Sequence, residues 1–201
     1  MLLRHAKSAW PGDGEPGVPD HGRPLAGRGR RTADAVGSVF AGQGLRRPRI
    51  VSSDARRARE TAERLADRLG AEVELEPRLY LGGPREVRAV LESHRDPERD
   101  LVLVGHNPGF EEAASALTGR PEALKTGDSI WLGSGPGGEL TVEDRLRGRA
   151  CLTRVERWRK SAARKKPAGA NDGAAPKKHG GRKRAAAEPS GEPRPAPPTS
   201  P

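Results

Sequence analysis

The last 43 residues of the chain contain no side chain that could build a hydrophobic core. From Arg159 to Pro201 there is no Ile, Leu, Val, Met, Phe, Trp, Tyr or Cys. Such a segment cannot bury enough apolar surface to offset the conformational entropy that folding removes. We therefore predict a folded domain over residues 1–158 and a disordered tail, rich in Ala, Pro, Lys and Arg, over residues 159–201.

The same boundary divides a strongly basic tail from a nearly neutral domain. The tail has eleven Lys and Arg against three acidic residues, so it carries +8 of the net charge of +10, and residues 1–158 carry only +2. The tail is therefore the segment that could contact nucleic acid, weakly and without sequence preference. Because it has no aromatic side chain on which a base could stack, a solvated tail is the favoured interpretation.

The sequence excludes a membrane span, a signal peptide, an internal disulfide and a CxxC metal site. The longest wholly apolar stretch is Leu101–Val104, which is too short to span a bilayer. Arg4 and His5 interrupt the N-terminus before the apolar region of a signal peptide could form. The single cysteine, Cys151, excludes an internal disulfide and a CxxC metal site. We expect a cytosolic protein without membrane contact.

Short β-like segments alternate with stretches of helical periodicity, which predicts an α/β fold with a mostly parallel central sheet and helices on both faces. The predicted strands are Met1–Arg4, Arg49–Ser52, Glu72–Leu75 and Leu101–Val104, with weaker candidates at Ser129–Leu132, Glu139–Val142 and Cys151–Val155. The predicted helices contain Ala33, Val36 and Phe40, then span Ala55–Leu69 up to Gly70, Pro84–Glu92 and Pro108–Leu117.

Three predicted strands are each followed by polar or basic residues. His5 follows the first strand, Arg56 and Arg57 follow the second, and His106 follows Leu101–Val104. Ligands of open α/β sheets bind at the carboxyl ends of the strands, so these side chains should meet at one edge. No carboxylate cluster accompanies them, which favours an anionic substrate over a bound metal.

Each residue also has a plainer interpretation, and a lone histidine is more often a hydrogen-bonded surface or core residue than a catalyst. Arg56 and Arg59 are spaced to pair with Glu60 and Glu63 on the surface of a helix. A cation in the first helical turn opposes the helix dipole and so indicates an anion nearby, but this argument covers Arg56 and Arg57 equally. His106 precedes Asn107-Pro108, a possible N-cap and N1 pair, which would place it at a helix N-terminus that suits an anion.

Several motifs occur together in a fixed order. RHAKS begins at Arg4, SSDARRARETAE at Ser52 and LVLVGHNPGFEE at Leu101. Together they resemble the histidine phosphatase (phosphoglycerate mutase-like) superfamily, and the Ala-Lys-Ser continuation resembles its SixA-type phosphohistidine phosphatase branch. The resemblance covers residues 1–158. Further matches are Asp20-His21-Gly22-Arg23-Pro24-Leu25, Gly29, Leu79-Tyr80 and Leu124-Lys125-Thr126-Gly127.

The resemblance implies a role for individual residues. His5 would be the nucleophile, Arg4 and Arg57 would bind the phosphoryl oxygens, and His106 would be the second histidine of the site. Arg23 would be a substrate-binding residue at the rim. The resemblance thus selects Arg57 over its neighbour, which the local charge pattern does not.

Two features depart from the family pattern. Related mutases and broad-specificity phosphatases use a glutamate as acid, and its nearest counterpart here is Glu76, which the phosphohistidine branch does not clearly need. The first strand begins at Met1 itself and is shorter than is usual in the family, which leaves an upstream start open.

The chemistry implied is a phosphatase reaction through a covalent phosphohistidine intermediate, with no metal and no cofactor. Neighbouring cations lower the pKa of a histidine, so His5 should be neutral, as a nucleophile must be, at pH 7. The expected substrate is phosphohistidine in a partner protein, because short loops leave the site open. Two alternatives remain, a phosphatase of a small phosphoester (a sugar phosphate or a nucleotide) and a nucleic-acid-associated protein acting through its tail.

Overall fold

A six-stranded sheet forms the centre of the domain in the computed structural model, which describes residues 1–10, 17–134 and 140–151. The strands are β1 (Leu2–Arg4), β2 (Arg49–Ser52), β3 (Val73–Leu75), β4 (Leu101–Gly105), β5 (Ser129–Ser134) and β6 (Leu140–Leu146). The helices are α1 (Gly27–Ala41), α2 (Arg56–Leu69), α3 (Pro84–Ser93) and α4 (Gly109–Thr118), with 3-10 turns at Asp20–Gly22 and Pro77–Leu79.

The strand order is β3-β2-β4-β1-β5-β6. The first four strands in this order are parallel, whereas β5 runs antiparallel to β1 and β6 runs antiparallel to β5. The predicted α/β class with a mostly parallel sheet is therefore confirmed. Because β2, β4 and β1 are parallel neighbours, their carboxyl ends lie side by side at one edge, which we call the carboxyl edge.

Helices cover both faces of the sheet, as predicted. Successive strand residues point to opposite faces, so Leu3 and Ile50 pack with α1 and α2, whereas Leu2 and Val51 pack with α3 and α4. The periodic apolar residues of the helices complete these two cores, namely Ala33, Val36, Phe40, Ala58, Ala62 and Leu65 on one face and Val87, Val90, Phe110 and Ala113 on the other.

The predicted end of α2 is confirmed, whereas the predicted start of α4 is wrong. Gly70 follows α2 with a φ of 62°, the left-handed conformation that glycine adopts most easily. The N-cap and N1 pair predicted at Asn107-Pro108 is wrong, because α4 begins at Gly109 with Pro108 as its cap residue. The Asn107 side chain instead donates a hydrogen bond to the carbonyl of Leu124 at 2.9 Å.

The C-terminal predictions are met in part. The strand predicted at Glu139–Val142 is present as the longer Leu140–Leu146. Cys151 is helical, not the start of a strand, and residues 152–155 lie outside the described part of the chain. The same is true of the boundary at residue 158 and of the tail over residues 159–201. Within the described ranges, every helix is too short or too polar to cross a bilayer.

Candidate active site

Two histidines meet at the carboxyl edge of the sheet. His5 directly follows β1 and His106 directly follows β4, and the pairing of these parallel strands brings the two ring centroids to 4.9 Å. Both side chains are buried. The prediction that separate strand ends deliver polar side chains to a common edge is therefore confirmed for these two residues.

The hydrogen bonds of His5 determine which ring nitrogen can act as a nucleophile. Its Nδ1 lies 2.7 Å from the carbonyl oxygen of Ala6. A carbonyl oxygen only accepts, so this bond places the ring proton on Nδ1. In the neutral ring the lone pair is then on Nε2. The backbone N–H of His5 donates to Gly105 at 3.0 Å, which fixes the residue against β4.

Arg57, in the first turn of α2, lies beside that lone pair. Its Nε donates a hydrogen bond to Nε2 of His5 at 3.3 Å, and its side chain is only 6% exposed. Arg56 lies instead on the surface, where it pairs with Glu60 at 2.9 Å. The structure therefore brings Arg57, and not Arg56, to the histidine pair, in agreement with the position that the resemblance selected.

Arg4 and His106 complete the buried part of the site. Arg4 Nη1 donates to the carbonyl of Leu124 at 2.7 Å, and His106 Nε2 lies 3.0 Å from Ser53 Oγ. Arg4 Nε and His106 Nδ1 are buried with no hydrogen-bond partner among the described residues. Buried polar atoms of proteins almost always have a partner, so these two atoms are available to a ligand or to water.

A carboxylate that the sequence analysis missed lies among these cations. Asp20 Oδ2 accepts hydrogen bonds from Arg57 Nη2 at 2.9 Å and from the hydroxyl of Tyr80 at 3.0 Å. Asp20 Oδ1 is 3.3 Å from Arg23 Nη1, and Arg23 Nη2 donates to Ser8 Oγ at 2.7 Å. The structure thus places Arg23 at the rim of the site, as predicted, together with an aspartate that was expected only as part of a motif.

Burial and charge keep both histidines neutral. Burial lowers the pKa of His5 to about 4, and the guanidinium groups of Arg57, Arg4 and Arg23 act in the same direction against the hydrogen bond to Ala6. Burial lowers the pKa of His106 to about 3, with the charges of His5 and Arg57 adding to the effect. The predicted direction for His5 is confirmed, and burial is the largest cause.

The geometry agrees with the comparisons to known proteins. Residues 1–80 match the histidine phosphatase superfamily (branch 1). A structure from Agrobacterium tumefaciens, designated as phosphohistidine phosphatase SixA, has a TM-score of 0.61 at 27% identity, covering 72% of this chain and 94% of that one. The chain belongs to the histidine phosphatase superfamily. The fold also matches that of protein histidine phosphatase SixA complexed with tungstate, with a TM-score of 0.64 at 21% identity over 74% of this chain and 96% of that one.

Sequence relatives of this histidine phosphatase superfamily member carry no assigned activity. An uncharacterised chloroplastic protein of Arabidopsis thaliana is 33% identical over 137 residues, which are 63% of this chain and 62% of that protein. An uncharacterised protein of Mycobacterium tuberculosis is 35% identical over 115 residues, which are 57% of this chain and 69% of that protein. The chain thus spans about two thirds of the length of these relatives.

Thr61, Gly127 and Asp128 hold the segment from Arg4 to Ala6 in place, although the sequence analysis gave them no role. Thr61 Oγ1 accepts from the N–H of Ala6 at 3.1 Å and so ties α2 to the residue after His5. The N–H of Gly127, whose φ is 82°, donates to the carbonyls of Arg4 and His5. The buried Asp128 accepts at its main-chain carbonyl from the Arg4 N–H at 3.0 Å.

Glu76, the possible counterpart of the glutamate acid, is engaged elsewhere. Its carboxylate accepts hydrogen bonds from the backbone and side chain of Arg78, the latter at 2.7 and 3.0 Å. The side-chain bond with Arg78 lowers the pKa of Glu76, which favours the ionised form. A carboxylate in this state is a poor proton donor at neutral pH. Within residues 1–10, 17–134 and 140–151, no three His, Cys, Asp or Glu side chains form a group that could hold a metal ion.

Proposed function

We propose that this protein is a phosphatase that transfers a phosphoryl group to Nε2 of His5, with phosphohistidine in a partner protein as its substrate. The observation that carries the proposal is a neutral, buried imidazole whose Nε2 lone pair accepts a hydrogen bond from a guanidinium group. A neutral Nε2 supplies the nucleophile, and cations around it supply binding for the phosphoryl oxygens. Membership of the histidine phosphatase superfamily supports the reaction class.

The reaction proceeds in two displacements. In the first, Nε2 of His5 attacks phosphorus, the bond from phosphorus to the leaving imidazole breaks, and that imidazole takes up a proton from solvent. In the second, water attacks phosphorus, the bond to Nε2 breaks, and inorganic phosphate leaves as the water gives up its proton. An imidazole leaving group can be protonated near neutral pH, so the reaction does not require an acid such as Glu76.

The three arginines stabilise the phosphoryl group in transit. Its equatorial oxygens carry the negative charge, so binding by cations is the main contribution that the protein can make. A guanidinium group about 4 Å away contributes up to about 4 kcal/mol at an effective dielectric constant near 20, before desolvation is subtracted. Arg57 and Arg4 serve this role, with Arg23 at the rim and His106 as a neutral hydrogen-bonding partner through Nδ1.

The surface around the site supports a protein substrate. Among the described residues, the large hydrophobic side chains that are exposed are Trp10, Leu75 and Leu81. The Trp10 ring lies 5.1 Å from the guanidinium group of Arg23. Leu81 follows Tyr80, whose ring centroid is 5.5 Å from that of His106. Leu75 ends β3, the parallel neighbour of β2, so it lies at the same end of the sheet. Exposed apolar side chains gathered around a site are typical of a surface that binds another protein.

The proposal is tested by the turnover of a substrate panel in the presence of EDTA. We expect hydrolysis of a phosphohistidine protein and of free phosphohistidine, slower hydrolysis of sugar phosphates and nucleotides, and no loss of rate on metal removal. Preferential turnover of a small phosphoester would favour the alternative function.

Trapping of the intermediate tests the mechanism directly. Rapid quenching under alkaline conditions, followed by peptide mass spectrometry, should locate phosphate on His5 in the wild type. His5→Asn should trap none and release no phosphate. The matched control is His21→Asn, since His21 lies at the rim, where it pairs with Asp54 at 3.0 Å. Release of phosphate by His5→Asn at the wild-type rate would exclude the covalent route.

A further inference from the structure

The carboxylate of Asp20 lies where an anion would bind. Its two oxygens contact Arg57, Arg23 and the hydroxyl of Tyr80 at 2.9 to 3.3 Å. Its main-chain carbonyl accepts a further bond from Arg57 Nη1 at 2.6 Å. Two of the three arginines assigned to the phosphoryl group are therefore already paired with one side chain of the protein itself.

The edge of Arg57 that faces His5 is fully engaged. A guanidinium group binds phosphate through two parallel N–H groups, and the side edge formed by Nε and Nη2 is one of the two pairs available. Here Nε donates to His5 at 3.3 Å and Nη2 donates to Asp20 at 2.9 Å. A phosphoryl group bound to this edge must replace both contacts, because each N–H group has one hydrogen in that direction.

Asp20 is more exposed to solvent than the buried arginine with which it pairs. Its side chain is 51% exposed, whereas that of Arg57 is 6% exposed. Asp20 lies at the start of the 3-10 turn Asp20–Gly22, not within a long helix or a strand. The carboxylate can therefore leave the arginine for solvent at little cost in buried charge, whereas the arginine cannot leave the site.

We propose that Asp20 is a positioning residue that occupies the phosphoryl-binding edge of Arg57 in the resting protein and is displaced from it by the phosphoryl group of the substrate. Asp20 then has two effects. It holds the guanidinium group beside Nε2 of His5 before substrate arrives, and it competes with phosphate, which weakens product binding. The inference rests on the function proposed above.

The charge state of Asp20 is consistent with this competition. Burial raises its pKa, but the hydrogen bond from Tyr80 and the charge of Arg57 outweigh burial and lower the pKa overall. The carboxylate is therefore ionised at neutral pH. Binding of a phosphate dianion next to this carboxylate carries a repulsive cost unless the carboxylate moves away.

Asp20→Asn separates charge from shape. The amide keeps an oxygen that accepts from Arg57 and Tyr80, but the negative charge is removed. Inorganic phosphate is titrated into the full chain by calorimetry at pH 7.5 and low salt. We expect it to bind the variant about tenfold more tightly than the wild type, because one half-exposed charge next to the ligand is lost. The KM for phosphohistidine should fall by a larger factor than any change in kcat.

Asp54→Asn is the matched control. Asp54 is a second carboxylate at the same edge, 32% exposed, and it pairs with His21 at 3.0 Å. Asp54→Asn removes the same charge without freeing an arginine, because the Asp54 carboxylate pairs with His21. The phosphate affinity of this variant should therefore stay within about twofold of the wild type. Tyr80→Phe provides a second variant, because it removes one anchor of the Asp20 carboxylate and should tighten phosphate binding by a few fold.

The outcomes are distinguishable. If Asp20→Asn and Tyr80→Phe bind phosphate as weakly as the wild type, or more weakly, Asp20 only supports Arg57 and the inference is overturned while the proposed function stands. If both carboxylate variants tighten binding equally, the effect is that of net charge, and the specific competition is excluded. If the wild type neither binds phosphate nor turns over phosphohistidine, the inference and the proposed function fail together.

Discussion

Arg57 Nε donates a hydrogen bond to Nε2 of His5, the nitrogen that carries the lone pair in the neutral ring. The contact joins the first turn of α2 to the end of β1, and it has two consequences. It adds to the effect of burial in keeping the imidazole neutral, because a nearby cation opposes protonation. In the proposed reaction it also requires the guanidinium group to shift when phosphorus approaches the same nitrogen, which would couple the binding of substrate to movement of Arg57.

Arg57→Ala should lower kcat/KM by about 100- to 1,000-fold, the usual cost of removing one preorganised donor to a charged transition state. Arg56→Ala should change it less than about threefold, because that side chain forms an exposed surface pair with Glu60. Steady-state kinetics on free phosphohistidine measures both. The two substitutions change charge equally in adjacent positions of one helix, so equal effects would contradict the assignment of Arg57 to the site.

Lowering the pH should destabilise the protein through His5. Its pKa is about 4 in the folded protein and about 6.5 in the unfolded chain, so between these values the unfolded state binds more protons and stability falls with the pH. His5→Asn removes this effect. Between pH 7 and pH 4 the variant should lose less unfolding free energy than the wild type by on the order of 2–3 kcal/mol.

Urea denaturation at several pH values measures this difference. Ring-nitrogen NMR of the wild type provides an independent check, since His5 should remain neutral at pH 5.5, where an unperturbed histidine would be about nine-tenths protonated. A His5 signal that titrates near pH 6.5 would contradict the burial and the cation contacts on which the mechanism depends.

Gly29→Ala should destabilise the protein, although alanine normally favours a helix. A Cβ at this position of α1 would overlap the carbonyl of Lys7, two residues after His5, so the helix or the loop must move. We expect a loss of about 1–3 kcal/mol by thermal or urea unfolding. Gly27→Ala is the control, because its Cβ would meet only side-chain ends at 3.8 Å. It should be neutral or slightly stabilising, and a Gly29→Ala variant that behaves in the same way would show that the close contact is unimportant.

Much of the fold follows from local sequence patterns. The alternation of apolar strands with periodic helices predicts the parallel strands β1 to β4 and the helices on both faces, and Gly70 predicts the end of α2. The antiparallel direction of β5 and β6 is not encoded in such a pattern, because strand direction depends on which strand of the sheet still has a side free for pairing. The incorrect N-cap at Asn107 has a tertiary cause, since its amide bonds to Leu124 instead of the helix.

Without the resemblance, the sequence predicts a residue of the candidate site only where that residue follows a strand. His5 and His106 satisfy that condition, and the choice of Arg57 over Arg56 needed the resemblance to a family. Asp20 lies in a loop rich in Gly and Pro and reaches Arg57 only through the tertiary fold, so no periodicity indicates its role. Asp128 likewise acts through its backbone carbonyl, which its residue type does not reveal.

Removal of the tail should leave the chemistry intact. Residues 159–201 contain no large apolar side chain and carry most of the net charge, so a chain that ends at Trp158 should keep its melting temperature and its rate on free phosphohistidine. Binding to DNA at low salt should be lost with the tail, and in the full chain it should weaken steeply as salt rises. Thermal melting, turnover and DNA titration at two salt concentrations measure these properties. A large drop in melting temperature, or salt-resistant binding, would show that the tail has a structural or a dedicated nucleic-acid role.

Leu81→Asn should separate a protein substrate from a small one. Leu81 is 66% exposed and has a φ of 54°, a conformation that is unfavourable for leucine and that asparagine tolerates better. The substitution should therefore leave stability unchanged or raise it by about 0.5–1 kcal/mol, while it removes an apolar contact at the rim. If a partner protein docks on this edge, KM for a phosphohistidine protein should rise several fold, and KM for free phosphohistidine should not change. Thermal unfolding and kinetics on both substrates measure the two effects, and an equal change in KM for both substrates, or none for either, would contradict docking of a protein at Leu81.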